Sequence, residues 1–342
     1  MMEERKQHGP AIVALGGGHG LSAILRGLKL YTENLTAIVT VADDGGGSGV
    51  LREDLGMPPP GDIRNCMEAL ADTESMMRKL MAYRFTEGRL AGQAFGNLLL
   101  AALTGISDSF DHAVARMGEV LAITGRILPV TNANVTLEAT FENGTSVRGE
   151  SKIFDSKKQQ NCRIHHVRLL PEHSPALPDA LEAIRRADVI LLGPGSLYTS
   201  VIPNLLVGGV AEALARSKAL KLHVLNVMTQ EGETEGYSAV DHVKALMRHG
   251  GAVDVCLYNT KEIPAKLAAR YMPEGSEPLM PDVKAFRQLG IRLFGGDMLS
   301  RNGQLARHDP LRLAYNVMLC AETFAHREGA LGDYDRLLLR KG

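Results

Sequence analysis

The stretch AIVALGGGHG at residues 11–20 decides the fold, because a short apolar run ends directly in a glycine-rich turn. A second stretch, AIVTVADDGGGSG at residues 37–49, repeats this arrangement. Short apolar runs that end in turn residues are typical of buried strands. Between the two runs, apolar residues recur at helical spacing: Leu21, Ile24, Leu25 and Leu28. The region therefore predicts a strand, a helix and a second, parallel strand.

The same alternation recurs in the second half of the chain. Apolar runs predict strands at 189–192, 221–227, 253–258 and 291–294, and helical patterns occupy 178–187, 205–215, 239–249 and 311–326. Residues 64–123 carry only helical patterns, and an Asn-Gly turn at 143–144 predicts a β-hairpin over 135–151. We predict one α/β domain over residues 1–342. Its sheet is Rossmann-like, doubly wound and mainly parallel, with a helical insertion and a hairpin excursion.

Composition narrows the class of protein. The chain has 342 residues, of which 45% are hydrophobic and 23% charged, enough apolar surface for a large core. A formal net charge of −1 argues against nucleic acid as a partner. No apolar stretch is long enough to span a membrane, and no apolar leader opens the sequence. The four cysteines lack CxxC spacing, which favours free thiols in a reducing cytoplasm over a thiolate zinc site.

The first glycine turn fits the looser dinucleotide fingerprint, with Gly18, Gly20 and Ala23 in order and Asp43 where a ribose-binding acid belongs. Backbone amides at a helix N-terminus bind anions. The alternative is a tight turn that serves packing alone, and a P-loop is excluded because its lysine is missing. The candidate ligand contacts are Gly16, Gly17, Gly18, His19, Gly20 and Leu21.

The second glycine turn carries the paired acids Asp43 and Asp44. These carboxylates are candidates to orient a ribose, to hold Mg²⁺ against a diphosphate, or to act as a general base, and the sequence does not choose among these roles. Nearby, Asp62 is predicted to cap a helix whose first turn holds Arg64 and Asn65. An arginine at the positive end of a helix favours anion binding, and the alternative is an ordinary capped helix. Asn97, at the start of a later helix, either faces the same cleft or caps that helix.

Two further strand ends carry polar loops. Residues 193–200 read GPGSLYTS and have the composition of a phosphate-binding loop. Residues 226–234 follow the next strand with side chains that can hydrogen-bond a base or a sugar. The candidate contacts here are Gly193, Pro194, Gly195, Ser196, Tyr198, Thr199, Ser200, Asn226, Thr229 and Gln230. The adjacent His165 and His166 point to opposite faces of a strand and do not predict a metal site.

Taken in order, the motifs at 16–22, 40–52, 59–65, 96–103, 193–207 and 226–234 resemble the gluconeogenesis-factor (YvcK, UPF0052) family, which is related to the CofD 2-phospho-L-lactate transferases. The resemblance covers about residues 11 to 320. Three positions depart from the family pattern: His19 stands where the family has threonine, Gly47 where it has serine, and Glu231 where it has proline.

The resemblance implies a Rossmann-like cytoplasmic protein that binds a nucleotide sugar of the UDP-N-acetylglucosamine type. It implies a need for the protein in cell shape and wall synthesis during gluconeogenic growth. Tyr271 and Arg307 match family positions that contact the sugar nucleotide. In the related transferases acidic residues hold Mg²⁺, and Asp43 and Asp44 match those positions.

Three hypotheses follow. The first is a ligand-responsive regulatory protein in which residues 16–20 and 193–200 hold the diphosphate. The second is a Mg²⁺-dependent transferase of a nucleotide-activated phosphoester, with Asp43 or Asp44 as catalytic metal ligand and Arg64 stabilising transferred charge. The third is an NAD-dependent oxidoreductase, or an NAD-like dinucleotide in the cleft. A homo-oligomer and contacts with cell-wall synthesis proteins stay open, and the Met76, Met77, Leu80 and Met81 stripe suits either the core or a subunit contact.

Overall fold

The structure is a computed structural model that describes residues 9–72, 75–301 and 305–324. The strands are β1 Ile12–Gly16, β2 Leu35–Val39, β3 Arg126–Pro129, β4 Thr136–Phe141, β5 Ser146–Arg148, β6 Ile164–Leu170, β7 Val189–Leu192, β8 Leu220–Val224, β9 Val255–Asn259 and β10 Arg292–Gly296. Seven of them form one sheet in the order β10-β9-β8-β7-β1-β2-β3, and every neighbouring pair is parallel. The other three form an antiparallel sheet in the order β5-β4-β6. The predicted Rossmann-like α/β fold is confirmed.

Helices connect the parallel strands. They are α1 Gly18–Leu28, α2 Gly46–Leu55, α3 Gly61–Leu70, α4 Ser75–Ala82, α5 Phe95–Gly105, α6 Phe110–Val120, α7 Glu150–Gln160, α8 Pro178–Arg186, α9 Ile202–Leu205, α10 Val210–Arg216, α11 Ala239–Arg248, α12 Ala265–Ala268, α13 Val283–Gln288 and α14 Pro310–Phe324. Every residue of β1, β2, β7 and β8 is buried, as expected for parallel strands covered on both faces. None of the helices described is long and apolar enough to cross a bilayer.

The strand order contains a reversal between β1 and β7. From β1 the chain builds outward through β2 and β3, and it then returns to β7 on the other side of β1 and builds outward through β8, β9 and β10. The loops that follow β1 and β7 therefore leave the sheet in opposite directions. In open parallel sheets, ligands bind in the crevice that this divergence creates at the carboxyl ends of the strands.

Several elements differ from the prediction. The glycine-rich residues 45–49 do not form a loop, because α2 begins at Gly46. The helix predicted over 205–215 begins later, at Val210 of α10, because α9 ends at Leu205 and residues 206–209 are not helical. The second hairpin strand ends at Arg148, and α7 follows from Glu150. The last helix, α14, is described only as far as Phe324, so the predicted end at residue 326 lies outside the described residues.

Candidate functional site

A cleft of about 1160 Å³ opens at the switch point between β1 and β7. Its floor consists of the first turn of α1, the loop after β7 and the loop after β8. Segments around Tyr271 and Arg307 form part of its wall. The predicted contacts that line it are Gly17, Gly18, His19, Gly20, Pro194, Gly195, Ser196, Ser200, Asn226, Thr229, Gln230, Tyr271 and Arg307. Loops that are far apart in sequence therefore meet in one cleft.

The first turn of α1 provides the backbone donors of the cleft. The amide of Gly18 donates to the carboxylate of Asp62, whereas the amides of His19 and Gly20 have no acceptor among the described residues. A Cβ at Gly20 would overlap the Pro194 carbonyl, so only glycine lets α1 approach the loop after β7 this closely. Unpaired amides and the helix dipole together favour an anion at this point.

The loop after β8 holds the loop after β7 in place. Asn226 Nδ2 donates to the Gly195 carbonyl at 2.9 Å, and the Gly195 amide donates to Asn226 Oδ1 at 3.3 Å. The Ser196 hydroxyl donates to Gln230 Oε1 at 2.8 Å. Asn226 and Gln230 therefore fix the geometry of the cleft floor, in addition to lining it.

Glu233 occupies the amide-rich turn that follows β7. The amides of Leu197, Tyr198 and Thr199 donate to its carboxylate at 2.9, 2.9 and 3.0 Å. Glu233 is buried, and burial together with the charge of Glu150 raises its pKa to about 7 against the effect of those hydrogen bonds. In this structure the three amides thus serve a carboxylate of the chain and are not available to a phosphate. The sequence did not point to Glu233.

Some predicted contacts lie below the surface of the cleft. Leu21 and Tyr198 are almost fully buried, and Gly16 and Gly193 are buried at the strand ends. The Tyr198 hydroxyl lies 3.1 Å from the Tyr237 hydroxyl and donates to the Ile164 carbonyl, so its ring does not reach the cleft. Thr199 hydrogen-bonds the side chain of Glu150.

The paired acids after β2 are turned towards backbone groups. Asp43 accepts from the Gly45 amide at 2.8 Å and from Ser48, and Asp44 accepts from the Ser151 amide at 2.8 Å. Neither aspartate lines the cleft. Among the residues that the structure describes, no three His, Cys, Asp or Glu side chains are grouped so as to hold a metal ion. The assignment of Mg²⁺ to the pair stays a prediction.

Three carboxyl groups crowd together behind the first turn of α1. Burial and the charges of Asp43 and Glu150 raise the pKa of Asp62 to about 7, against its hydrogen bond from Gly18. Burial and the charges of Asp43 and Asp44 raise the pKa of Glu150 to about 7. Asp62 does not cap its helix as predicted, because α3 begins at Gly61 with Pro60 at the N-cap position, and the carboxylate turns to α1.

Arg64 is held by side chains of α3 and α5. Its Nε donates to Asn97 Oδ1 at 2.9 Å, its Nη1 to Glu68 at 2.5 Å and its Nη2 to Asn65 Oδ1 at 2.9 Å. None of the three predicted contacts in this group, Arg64, Asn65 and Asn97, lines the cleft. The structure therefore joins them in a cluster beside the cleft, where Arg64 is close enough to lower the pKa of His19.

Arginines surround His19 at the cleft. Partial desolvation lowers the pKa of His19, and the charges of Arg307, Arg64 and Arg26 lower it further, which favours the neutral imidazole. Arg26 lines the cleft with Ser22 and Ala23, and these three residues continue the face of α1 that starts at His19. Arg26 follows His19 at helical spacing, which places both residues on the same face of α1. The sequence prediction did not include Arg26.

The far wall of the cleft is tied together through Tyr271. The Ala306 amide donates to the Tyr271 hydroxyl at 2.8 Å, which places Tyr271 next to Arg307. The wall also includes Arg270 and Glu274, which the sequence did not indicate. Glu231, which also lines the cleft, forms an ion pair with Lys158 of α7 at 2.7 Å. Glu231, which stands where the family pattern has proline, is therefore paired with a positively charged side chain.

This geometry defines the class of the protein: a Rossmann-like α/β protein with a glycine-lined cleft at its switch point. A model of the family described as 2-phospho-L-lactate transferase CofD matches residues 12–299. A protein from Thermoanaerobacterium thermosulfurigenes is 53% identical over 312 residues, which are 91% of this chain and 97% of the relative. The gluconeogenesis factor of Bacillus subtilis is 45% identical over 308 residues, 89% of this chain and 96% of the relative.

The fold is also similar to a crystal structure of a UPF0052 family member from Bacillus halodurans. The TM-score is 0.87 at 43% identity, with 91% of this chain and 99% of the other covered. The chain therefore belongs to the CofD family, within its group of gluconeogenesis factors.

Proposed function

We propose that the protein is a regulatory protein that binds a nucleotide sugar of the UDP-N-acetylglucosamine type. One observation carries the proposal. The cleft offers the amides of His19 and Gly20 with the guanidinium groups of Arg26 and Arg307, whereas Asp43 and Asp44 hydrogen-bond backbone amides outside it. Donors at the cleft, with the paired aspartates turned away from it, suit binding of a diphosphate better than its chemical conversion.

The proposed pose follows the donors and acceptors of the cleft. The diphosphate lies on the first turn of α1 and against Gly195 and Ser196. Asn226 and Gln230 contact the nucleoside, and Tyr271 and Arg307 close over the sugar. In this proposal the protein acts in the cytoplasm and reports the level of the nucleotide sugar to proteins of cell-wall synthesis during gluconeogenic growth.

A Mg²⁺-dependent transferase is the second candidate, and the crowding of Asp43, Asp62 and Glu150 behind α1 favours it. Carboxylates that raise one another's pKa have negative charge that a cation would offset. The binder is preferred because those carboxylates lie outside the cleft lining.

Isothermal titration calorimetry tests the proposal. Purified protein is titrated with UDP-N-acetylglucosamine, UDP, GDP and NAD, each with and without Mg²⁺. We expect micromolar binding of the UDP-sugar that does not need Mg²⁺, and at least tenfold weaker binding for Arg307→Ala and Tyr271→Ala. Arg301→Ala is the matched control, since Arg301 is exposed on the same segment and does not line the cleft. Binding of GDP alone, dependent on Mg²⁺, would support the transferase instead.

A further inference from the structure

The helix α7 brings an aromatic side chain to the cleft that neither the motifs nor the family resemblance indicated. Phe154 lines the cleft and keeps 40% of its accessible surface. The other large apolar side chain of α7, Ile153, is buried and keeps only 1% of its accessible surface. An exposed phenyl ring on the wall of a polar cleft is a surface on which a flat ligand group can stack.

The backbone opposite the ring is shaped to receive it. Gly232, in the loop after β8, has a φ of +74°, and a Cβ at this position would overlap the Phe154 ring. The ring thus packs against a residue that has no side chain. The contact fixes one side of Phe154, and the ring still lines the cleft with part of its surface exposed.

Ion pairs beside the ring hold α7 in place. Lys157 pairs with Glu235 at 3.2 Å and Lys158 with Glu231 at 2.7 Å, both acids belonging to the loop after β8. Lys158 Nζ also lies 5.9 Å from the centroid of the Phe154 ring. A ring that is already positioned loses little conformational entropy when it binds a ligand.

The neighbouring amide of Gln230 complements a base. Because Gln230 Oε1 accepts from the Ser196 hydroxyl, its NH₂ group is the part that can meet a ligand. Uracil has two carbonyl oxygens at the edge of its ring that accept hydrogen bonds, and the flat face of the ring can stack on an aromatic side chain. The combination of a stacking surface with an amide donor is typical of base recognition, and Phe154 and Gln230 both line the cleft.

We propose that Phe154 is the stacking platform for the nucleobase of the ligand, with Gly232 as the residue that positions it. The inference rests on the proposed function, because it assigns the base end of the proposed nucleotide sugar. It orients the ligand with its base towards α7 and its sugar towards Tyr271 and Arg307.

Truncation of the ring tests this orientation. Calorimetry compares wild type and Phe154→Ala with UDP-N-acetylglucosamine, UMP and N-acetylglucosamine-1-phosphate. We expect the two uridine ligands to bind about tenfold more weakly to Phe154→Ala and N-acetylglucosamine-1-phosphate to bind unchanged. The control is Ile106→Ala, which also removes an exposed apolar side chain but does not line the cleft, and it should leave UMP binding as in wild type.

A fluorescent variant provides an independent readout. The chain has no tryptophan, so Phe154→Trp carries a single indole at the proposed platform. Stacking of uracil on the indole should quench its emission as UDP-N-acetylglucosamine saturates the site, and N-acetylglucosamine-1-phosphate should not. Gly232→Ala should weaken the uridine ligands as Phe154→Ala does, because it displaces the ring.

The outcomes separate the two proposals. If wild type binds none of the ligands, the proposed function fails and the inference with it. If wild type binds UDP-N-acetylglucosamine but Phe154→Ala binds it equally well, only the inference is overturned. A loss confined to N-acetylglucosamine-1-phosphate would place the sugar on Phe154 and would overturn the orientation.

Discussion

At the scale of single residues, the carboxyl group of Asp62 makes the stability of the fold depend on pH. Its pKa in the folded protein is about 7, against an ordinary value of 3.8, because the group is buried beside Asp43 and Glu150. Between pH 4 and pH 7 the folded state therefore holds a proton that the unfolded state has released. Such a group stabilises the fold fully below pH 4, and this contribution is lost as pH rises through 7.

We expect Asp62→Asn to flatten this part of the pH profile. The asparagine oxygen still accepts from the Gly18 amide, but the group no longer ionises against Asp43 and Glu150. The variant should gain on the order of 3 kcal/mol relative to wild type between pH 4.5 and pH 8, since the folded state alone holds the proton over roughly 2.5 pH units of this range and each unit corresponds to about 1.4 kcal/mol. Urea unfolding across this range measures the difference.

The matched control is Asp54→Asn, which removes an exposed carboxylate from the neighbouring helix α2. It should leave the difference between pH 4.5 and pH 8 as in wild type. Parallel profiles for wild type and Asp62→Asn would mean that Asp62 is ionised throughout and that the three carboxyl groups do not interact as described.

Residues could be predicted from the sequence where a local motif carries them. Gly18, Gly20 and Asn226 follow strand ends directly, so their place at the cleft was predictable from the strand pattern alone. Glu233 was not, since its partners lie more than thirty residues away and its carboxylate meets their amides only after folding. Tyr198 was predicted as a ligand contact because it lies in a polar motif, but its side chain packs in the core.

At the scale of elements, α7 depends on a cap from a distant part of the chain. The residue before it is Gly149, which has no side chain to accept from the first-turn amides. Asp44, which follows β2, accepts from the Ser151 amide instead. A residue that the sequence assigned to metal or ribose therefore stabilises the helix that carries Phe154.

We expect Asp44→Ala to loosen α7 and Asp44→Asn to preserve most of its stability. Loss of a capping acceptor costs about 1 kcal/mol, whereas the asparagine oxygen can still accept the hydrogen bond. Hydrogen exchange of the amides in 150–160 should accelerate about fivefold in Asp44→Ala, with α11 as an internal reference. Equal acceleration in both variants would show that the negative charge matters and not the hydrogen bond.

The elements that could be predicted are those with a strong periodic pattern. β1, β2 and β7 are continuous apolar runs, and each was found within two residues of its bounds. By contrast, α2 begins in glycines that favour a turn, and α7 reads ESKIFDSKKQQ with Ile153 as its buried apolar side chain. Tertiary contacts, namely the Asp44 cap and the lysine ion pairs, hold α7 where local propensity does not.

At the scale of the whole molecule, the cleft joins two halves of the sheet. The order of the strands was not predictable in detail, because local patterns do not specify which strand β7 joins. The doubly wound arrangement was predictable, and with it the position of the cleft at the carboxyl ends of β1 and β7. The closure of the far wall by Tyr271 and Ala306 needed the folded structure, since these residues are 35 positions apart.

A ligand that contacts both halves should stabilise the fold as a whole. Binding to the native state alone adds about 2.7 kcal/mol at a ligand concentration one hundred times Kd. For a chain of 342 residues this corresponds to a rise in Tm of roughly 4 °C. We expect UDP-N-acetylglucosamine to produce this shift in differential scanning calorimetry, with EDTA present, and N-acetylglucosamine-1-phosphate or UMP to produce less at the same concentration. Each fragment reaches only part of the cleft, so its Kd is higher and its stabilisation smaller. A shift that appears only when Mg²⁺ is added would contradict the metal-free binding mode. It would support metal binding by Asp43 and its neighbouring carboxyl groups.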